Sequence, residues 1–229
     1  MFAPEETSAI LLSLRVAALA VAVSLPFALL VAHVLARKRF RGKALFDALI
    51  HLPLLMPPVL TGYALLVLLG RHGAIGRWLD AWFGVTFAFR WTGAVVAAAV
   101  MAFPLFVRAI RLSMDAIPHE VHEAAAGLGA RPWAAFWHVT LPLSLPGIAA
   151  GMALAFAKAL GEFGATITFV SNIPGETRTI ALAMYTLIER PDGGGGMLRL
   201  AAVSLALAFG ALLLSEWMVR RSAYRRPPE

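Results

Sequence analysis

Apolar residues run through this chain in five long blocks, roughly 10–35, 48–69, 92–113, 143–170 and 199–219. Each is near or above the twenty or so residues that a helix needs to cross the hydrocarbon core of a bilayer. Stretches such as Val95-Val-Ala-Ala-Ala-Val-Met-Ala102 show no alternation of apolar and polar positions. That absence argues against the strands of a barrel. Lipid cannot solvate open backbone, so the blocks predict helices. The expected fold is all-α and polytopic, one membrane domain over residues 1–229 with about five spans. A mildly polar insert at 114–142 lies between the third and fourth.

Polar positions orient the spans. Glu5 and Glu6 precede the first block, and Arg37, Lys38, Arg39, Arg41 and Lys43 follow it. This polarity is the reverse of a secretory signal, which begins with its basic region. By the positive-inside rule the N-terminus is outside and the basic cluster inside. Five spans then put 114–142 and the C-terminal tail in the cytoplasm. The cytoplasmic side holds twelve Arg and Lys, adding Arg108, Arg111, Arg131, Arg220, Arg221, Arg225 and Arg226 to the first five; the outer side holds six, Arg71, Arg77, Arg90, Arg178, Arg190 and Arg199.

Composition narrows the class. The chain is 60% hydrophobic and 14% charged, with a mean hydropathy of +0.76, outside the range of soluble domains. Its +7 net charge lies beside apolar spans, so the positive-inside rule explains it without nucleic acid. With no Cys, disulfide, Fe–S and Cys–zinc chemistry are excluded. An intramembrane protease would need a Gly-x-Ser-x-Gly, a zinc motif, or paired Asp within spans; Asp47, Asp80, Asp115 and Asp192 all fall at or beyond span ends. No Walker sequence is present, and Asp192-Gly-Gly-Gly-Gly196 lacks the Lys-Ser/Thr of a phosphate loop. It reads as a flexible outer linker. His119 and His122 are spaced His-x-x-His, unlike the His-Glu-x-x-His of zinc proteases, and no metal site is expected. His33 and His51, beside the first cytoplasmic loop, read as interfacial.

The insert has its own pattern. Ser113-Met-Asp115 and Pro118 break the third span. Pro118 to Ala126 reads as a short helix with Glu120 and Glu123 toward its start, where they suit the dipole. Gly127 and Gly129 are expected to end it. Arg131-Pro-Trp133 starts a second helix carrying Trp133, Phe136 and Trp137 on one face, placed to anchor it at the membrane interface. Glu123-Ala-Ala-Ala-Gly-Leu-Gly129, then nine residues, then Val139-Thr-Leu-Pro142 resembles the EAA loop of ABC-transporter permease subunits, with Val139 where that family usually has Ile. The resemblance implies that this loop docks a cytoplasmic ATPase through Pro118, Glu120, Glu123, Ala124, Ala125, Leu128, Gly129, Ala130 and Trp133. A channel would not need such a loop.

Two features concern the spans themselves. Leu52-Pro-Leu-Leu-Met-Pro57 and Leu141-Pro-Leu-Ser-Leu-Pro146 share a Leu-Pro-x-x-x-Pro pattern, either as independent helix starts or as the remnant of a duplicated hairpin. The prolines are expected to bend spans two and four near the inner face. Lys158 and Glu162 sit one turn apart in the fourth span, and Arg15, in the first, is at a depth to pair with Glu162. Charges there face an interior or water, as a structural ion pair or as the lining of a pathway; the pattern leaves both open.

Gly161-Glu-Phe-Gly-Ala-Thr-Ile-Thr-Phe-Val-Ser-Asn-Ile-Pro-Gly-Glu-Thr-Arg-Thr179 resembles the corresponding segment of molybdate permeases. Sulfate permeases share a related Gly-Glu-Phe-Gly with a different continuation. The likeness extends over nearly the whole chain. It implies a homodimeric importer of molybdate, or alternatively of sulfate, thiosulfate or tungstate. Lys158, Gly161, Glu162, Gly164, Thr166 and Thr168 would lie on the pathway, Gly161 and Gly164 at a close helix contact. Arg71, Arg77, Asn172 and Arg178 would face a separate oxyanion-binding protein. ATP and Mg would belong to the ATPase, with no cofactor on this chain.

Overall fold

The computed structural model describes residues 2–223, without the side chains of Met218 and residues 221–223. Arg225, Arg226 and the side chain of Arg221 therefore lie outside the described residues. The elements are α1 (Pro4–Arg37), α2 (Lys43–Leu55), α3 (Pro58–Leu69), α4 (Ala74–Phe83), α5 (Trp91–Asp115), α6 (His119–Gly127), α7 (Pro132–Ala135), a π-helical turn (Phe136–Thr140), α8 (Leu141–Leu160), α9 (Gly164–Val170), α10 (Ile180–Ile188) and α11 (Gly194–Ala223). No strand occurs among the described residues. Four helices are long and apolar enough to cross a membrane, and α2 with α3 makes a fifth if the bent pair counts as one span.

The second span is not the straight helix expected over 48–69. It breaks at Met56-Pro57 into two halves bent by 111°. Met56 and Pro57 each precede a proline, which drives a residue out of the α region; their ψ angles are 143° and 132°. The second proline pair behaves otherwise. Pro142 sits in the first turn of α8 and Pro146 inside it, and Pro132–Leu160 runs as one apolar helix. The strain of Pro142 is absorbed one turn earlier, where the helix widens and Leu141 N–H reaches back to Phe136 C=O. The prolines thus bend span two sharply and leave span four continuous.

The fourth span is shorter than the expected 143–170. It stops at Leu160, and Gly161–Phe163 separates it from the short α9. Nor is Asp192–Gly196 a free linker: α11 already begins at Gly194, and a Cβ on Gly196 would lie 2.9 Å from Glu6 Oε1. Two helices too short to span, α4 and α10, went unpredicted. On α4, Ile75, Trp78, Trp82 and Phe83 are all exposed, an aromatic-rich surface suited to a membrane interface.

The core is built by α1, α5 and α8. Helix α5 is central and largely buried, whereas the apolar length of α11 is almost wholly exposed. Small residues set the packing: Ala17, Ala20, Ala28 and Ala32 of α1 and Ala94, Ala97 and Ala98 of α5 are fully buried. Between α5 and α8 the contact is closest at Gly147-Ile-Ala-Ala-Gly151. An added Cβ at Gly147 would collide with the Ser113 side chain, and at Gly151 would lie 2.9 Å from Phe106 Cδ2. Such spacing lets membrane helices approach without a hydrophobic driving force. Gly147→Ala is expected to destabilise the purified protein by about 1–3 kcal/mol. Gly210→Ala, where an added Cβ meets nothing, should leave the melting temperature unchanged or raised. Equal melting of the two variants would contradict this packing.

The ends of the bundle sort as the charge pattern requires. Glu6 bonds Arg199 at 2.6 Å and Glu5 bonds Arg178 at 3.4 Å, which gathers the N-terminus, the 171–179 loop and the start of α11 at one end. Arg37 donates to Met114 C=O at 2.7 Å and Arg111 pairs with Asp47 at 2.9 Å, which gathers the first basic cluster and the 114–142 insert at the other.

Candidate functional site

The insert between α5 and α8 is a short helix hung outside the bundle. Pro118, in extended conformation, caps α6. None of the α6 residues is buried. Its C-terminus closes in a Schellman motif: Ala130 N–H bonds Ala125 C=O at 3.0 Å, Gly129 N–H bonds Ala126 C=O at 2.9 Å, and Gly129 has φ +81°. This is the left-handed cap that glycine adopts at little cost. The spacing from the Glu-Ala-Ala triplet to the glycine therefore has a backbone origin. Only Gly129 plays this part; Gly127, expected to share it, is the last helical residue.

Exposure divides the expected docking residues. Pro118, Glu120, Glu123, Ala124, Leu128, Gly129 and Trp133 are open to a partner, Leu128 at 90%. Ala125 and Ala130 are half-buried, at the two positions where this motif brings side chains together. His119 bonds Glu123 at 3.2 Å on the open face. His122 is half-buried and part of its ring is shielded. Burial, then the charges of Arg37 and His119, push its imidazole pKa below the ordinary value.

The root of the insert is clamped. Arg111 reaches Asp47 on α2 and Asp115 at 3.5 Å, His51 lies 3.2 Å from Asp47, and Arg37 holds the last turn of α5. These groups counted only as positive-inside charge or as span ends in the sequence, which carries no signal for their pairing. On the return side Trp133, Phe136 and Trp137 pack ring on ring at 5.5–6.0 Å, and Phe136 meets His33 of α1 edge-on at 4.8 Å.

The charges within the spans are arranged differently from expectation. Arg15 does not pair with Glu162; its guanidinium lies 3.7 Å over the ring of Trp91, a cation–π contact. Glu162 is 3% exposed. It accepts from Lys158 Nζ at 2.5 Å and from the Ala165 N–H at 3.0 Å. It thus neutralises Lys158 and caps the start of α9 at once. Gly164 is at a close contact, 2.6 Å from Pro58 Cβ to an added Cβ, but Gly161 is exposed and faces only its own helix. The second glycine of the α3–α9 contact is Gly62, whose added Cβ would lie 2.8 Å from Thr168 Cβ. Thr166 is buried, and Thr168 donates to Gly164 C=O at 2.8 Å, which spends its hydroxyl proton inside the helix.

At the other end, Arg71 and Arg77 are exposed, Arg71 lying 3.5 Å from Asp80. Asn172 and Arg178 are braces. Asn172 donates to Thr186 at 2.8 Å and to Leu182 C=O, and accepts from Arg178 Nε at 2.9 Å. The loop they hold carries strain at Ser171, φ 63° and ψ −167°, a region that is otherwise glycine's. Thr177, fully buried, ties it by donating to Ser171 C=O and accepting from Ile173 N–H.

A family described as the binding-protein-dependent transport system inner membrane component matches residues 24–224. The chain belongs to this family. As an inner membrane transport component it is a transport subunit, not an enzyme in its own right. Among relatives of this component, the molybdenum transport system permease protein ModB of Escherichia coli (strain K12) is 59% identical over 220 residues, 96% of each chain. The sulfate transport system permease protein CysT of the same organism is 36% identical, over 87% of this chain and 71% of its own. A bacterial alginate ABC transporter, solved with its alginate pentasaccharide-bound periplasmic protein, has a chain that matches with a TM-score of 0.75 over 96% of this chain and 80% of its own. At 18% identity that likeness concerns the fold.

Proposed function

We propose that this transport component is the permease subunit of an ATP-driven molybdate importer, working as a homodimer in the bacterial inner membrane. The observation that carries the coupling half is α6: exposed on every turn, capped by a Schellman motif, and held to the bundle by Arg37 and Arg111 at its α5 root and by the Phe136–His33 contact on the return side. Such a helix buries little of itself against the chain that bears it and fits a cleft on a partner. That partner is an ABC ATPase, which holds ATP and Mg. Its motion enters the bundle through α5 on one side and through the Pro132–Leu160 helix on the other. The substrate half rests on the close relative named for molybdenum transport, matched over 96% of each chain at 59% identity, against 36% for the sulfate relative. A separate binding protein delivers the oxyanion to the α4 end, where Arg71 and Arg77 are exposed.

Two measurements test this. Co-expressed with its ATPase and reconstituted with cognate binding proteins, the chain should accumulate molybdate in vesicles only with ATP. Accumulation of sulfate and not molybdate would refute the substrate. For orientation, single cysteines can be added freely to a chain that has none. An impermeant thiol reagent on intact cells should label Pro4→Cys and Ile75→Cys and spare His122→Cys. Labelling at 122 would overturn the cytoplasmic placement of α6.

A further inference from the structure

Beside the coupling insert, α1 and the return helix enclose an apolar trough of about 570 Å³. Leu29 and Leu30 form one wall, and Trp133, Phe136 and Trp137 the other. It opens to the side: Leu30 is 61% exposed and Trp137 47%. Of the lining residues, Trp133 alone is among those expected to dock the ATPase. Lys38 stands on the rim. Behind it Arg39, Arg41 and Lys43 crowd the turn between α1 and α2, and these four cations make no ion pair among the described residues. Their neighbours Arg37 and Arg111 are engaged. His33 also lines the trough, with its Nδ1 buried.

An apolar slot at the end of a spanning helix, with uncompensated positive charge at its mouth, is complementary to an amphiphile with an anionic head. We propose that this trough binds one anionic phospholipid: an acyl chain lies against Trp133 and Trp137, and the phosphate rests on Lys38 and the cations behind it. A zwitterionic lipid gains the apolar contact but cancels much of the charge attraction. The lipid would then wedge the return helix against α1, beside the loop that meets the ATPase.

The test is native mass spectrometry of the full chain in mild detergent, with added dioleoylphosphatidylglycerol or dioleoylphosphatidylcholine. It needs neither ATP nor transport, so it stands apart from the importer reading. The wild type should retain phosphatidylglycerol in preference. Lys38→Gln should lower that retention about fivefold and leave phosphatidylcholine unchanged, while Lys38→Arg keeps the wild-type preference. Trp137→Ala should lower retention of both lipids. Arg77→Gln, the same charge change at the opposite end, should alter neither. Equal retention of the two lipids by wild type, or an undiminished preference in Lys38→Gln, overturns the proposal. So does an equal fall in Arg77→Gln, which would mean bulk charge. Release of bound phosphatidylglycerol on adding the ATPase would assign the trough to protein and overturn it as well.

Discussion

Gly129→Val is expected to abolish stable association with the ATPase and lower ATP-driven uptake about tenfold or more, while the bundle still folds. The reason is backbone strain. An added Cβ at Gly129 meets nothing within 4 Å, so bulk alone is harmless in the isolated chain, but φ is +81°. An L-residue in this region costs about 1–2 kcal/mol, and a β-branched one is an outlier there. The strain unwinds the cap that aims Leu128 and the last turn of α6. Gly129→Asn, which tolerates the left-handed region, should keep most of the activity. Gly129→Leu should fall between. Glu123→Lys reverses the charge without touching the backbone: the Glu123 side chain is 70% exposed and, among the described residues, pairs with His119 alone. It should leave melting unchanged and still lose the ATPase. Normal pull-down and uptake in both Gly129→Val and Glu123→Lys would mean that α6 is not the docking element.

The second large effect is expected at Lys158. The pair it forms with Glu162 has one nearly buried member, and that carboxylate also caps α9. Removing one partner of a buried pair costs about 3–5 kcal/mol; the 30% exposure of the Lys158 side chain puts this case at the lower end. Lys158→Ala should therefore lower the amount of folded protein, and Lys158→Glu should lower it further by setting two carboxylates together. Adding Glu162→Gln to Lys158→Ala should restore much of the protein, since a neutral amide still accepts from Ala165 N–H. A charge that only lined the pathway behaves otherwise. There, Lys158→Glu would lose uptake at a normal protein level, and Glu162→Gln would rescue nothing. Protein level measured beside uptake separates the two.

The insert was legible in the sequence because its determinants are local. Pro118, the Ala run and Gly129 fix a helix start, a helix and its cap within a dozen residues, each by its own backbone preference. The spans were legible as apolar lengths and not as shapes. Residues 48–69 are equally apolar straight or folded at 111°, so the break shows only in Met56-Pro57-Pro58, where three neighbours constrain each other. Gly161-Glu-Phe-Gly164 hid a break for a related reason: Glu162 reads as a charge inside a helix until its carboxylate is seen capping the next one. Partners distant along the chain had no local trace. Arg15 finds Trp91, Asp47 finds Arg111, and Gly62 faces Ala165 and Thr168 only because of how the helices cross.

The continuity of the return helix sets a mechanical scale. Pro132–Leu160 is 29 residues, a lever of roughly 44 Å at 1.5 Å per residue. Its short arm carries Trp133 beside the docking loop, and its far tip is the Gly161 break. With the pivot at the π-helical turn, the long arm Leu141–Leu160 is 20 residues, about 30 Å, so a tilt of about 5° moves the tip by about 2.6 Å, close to the diameter of a water molecule. On the proposed importer reading, a small rocking of the ATPase beneath is geared up into a larger displacement of that tip. The π-helical turn near the fulcrum is where the gearing can be altered, and a change there would tune stroke length without touching either end.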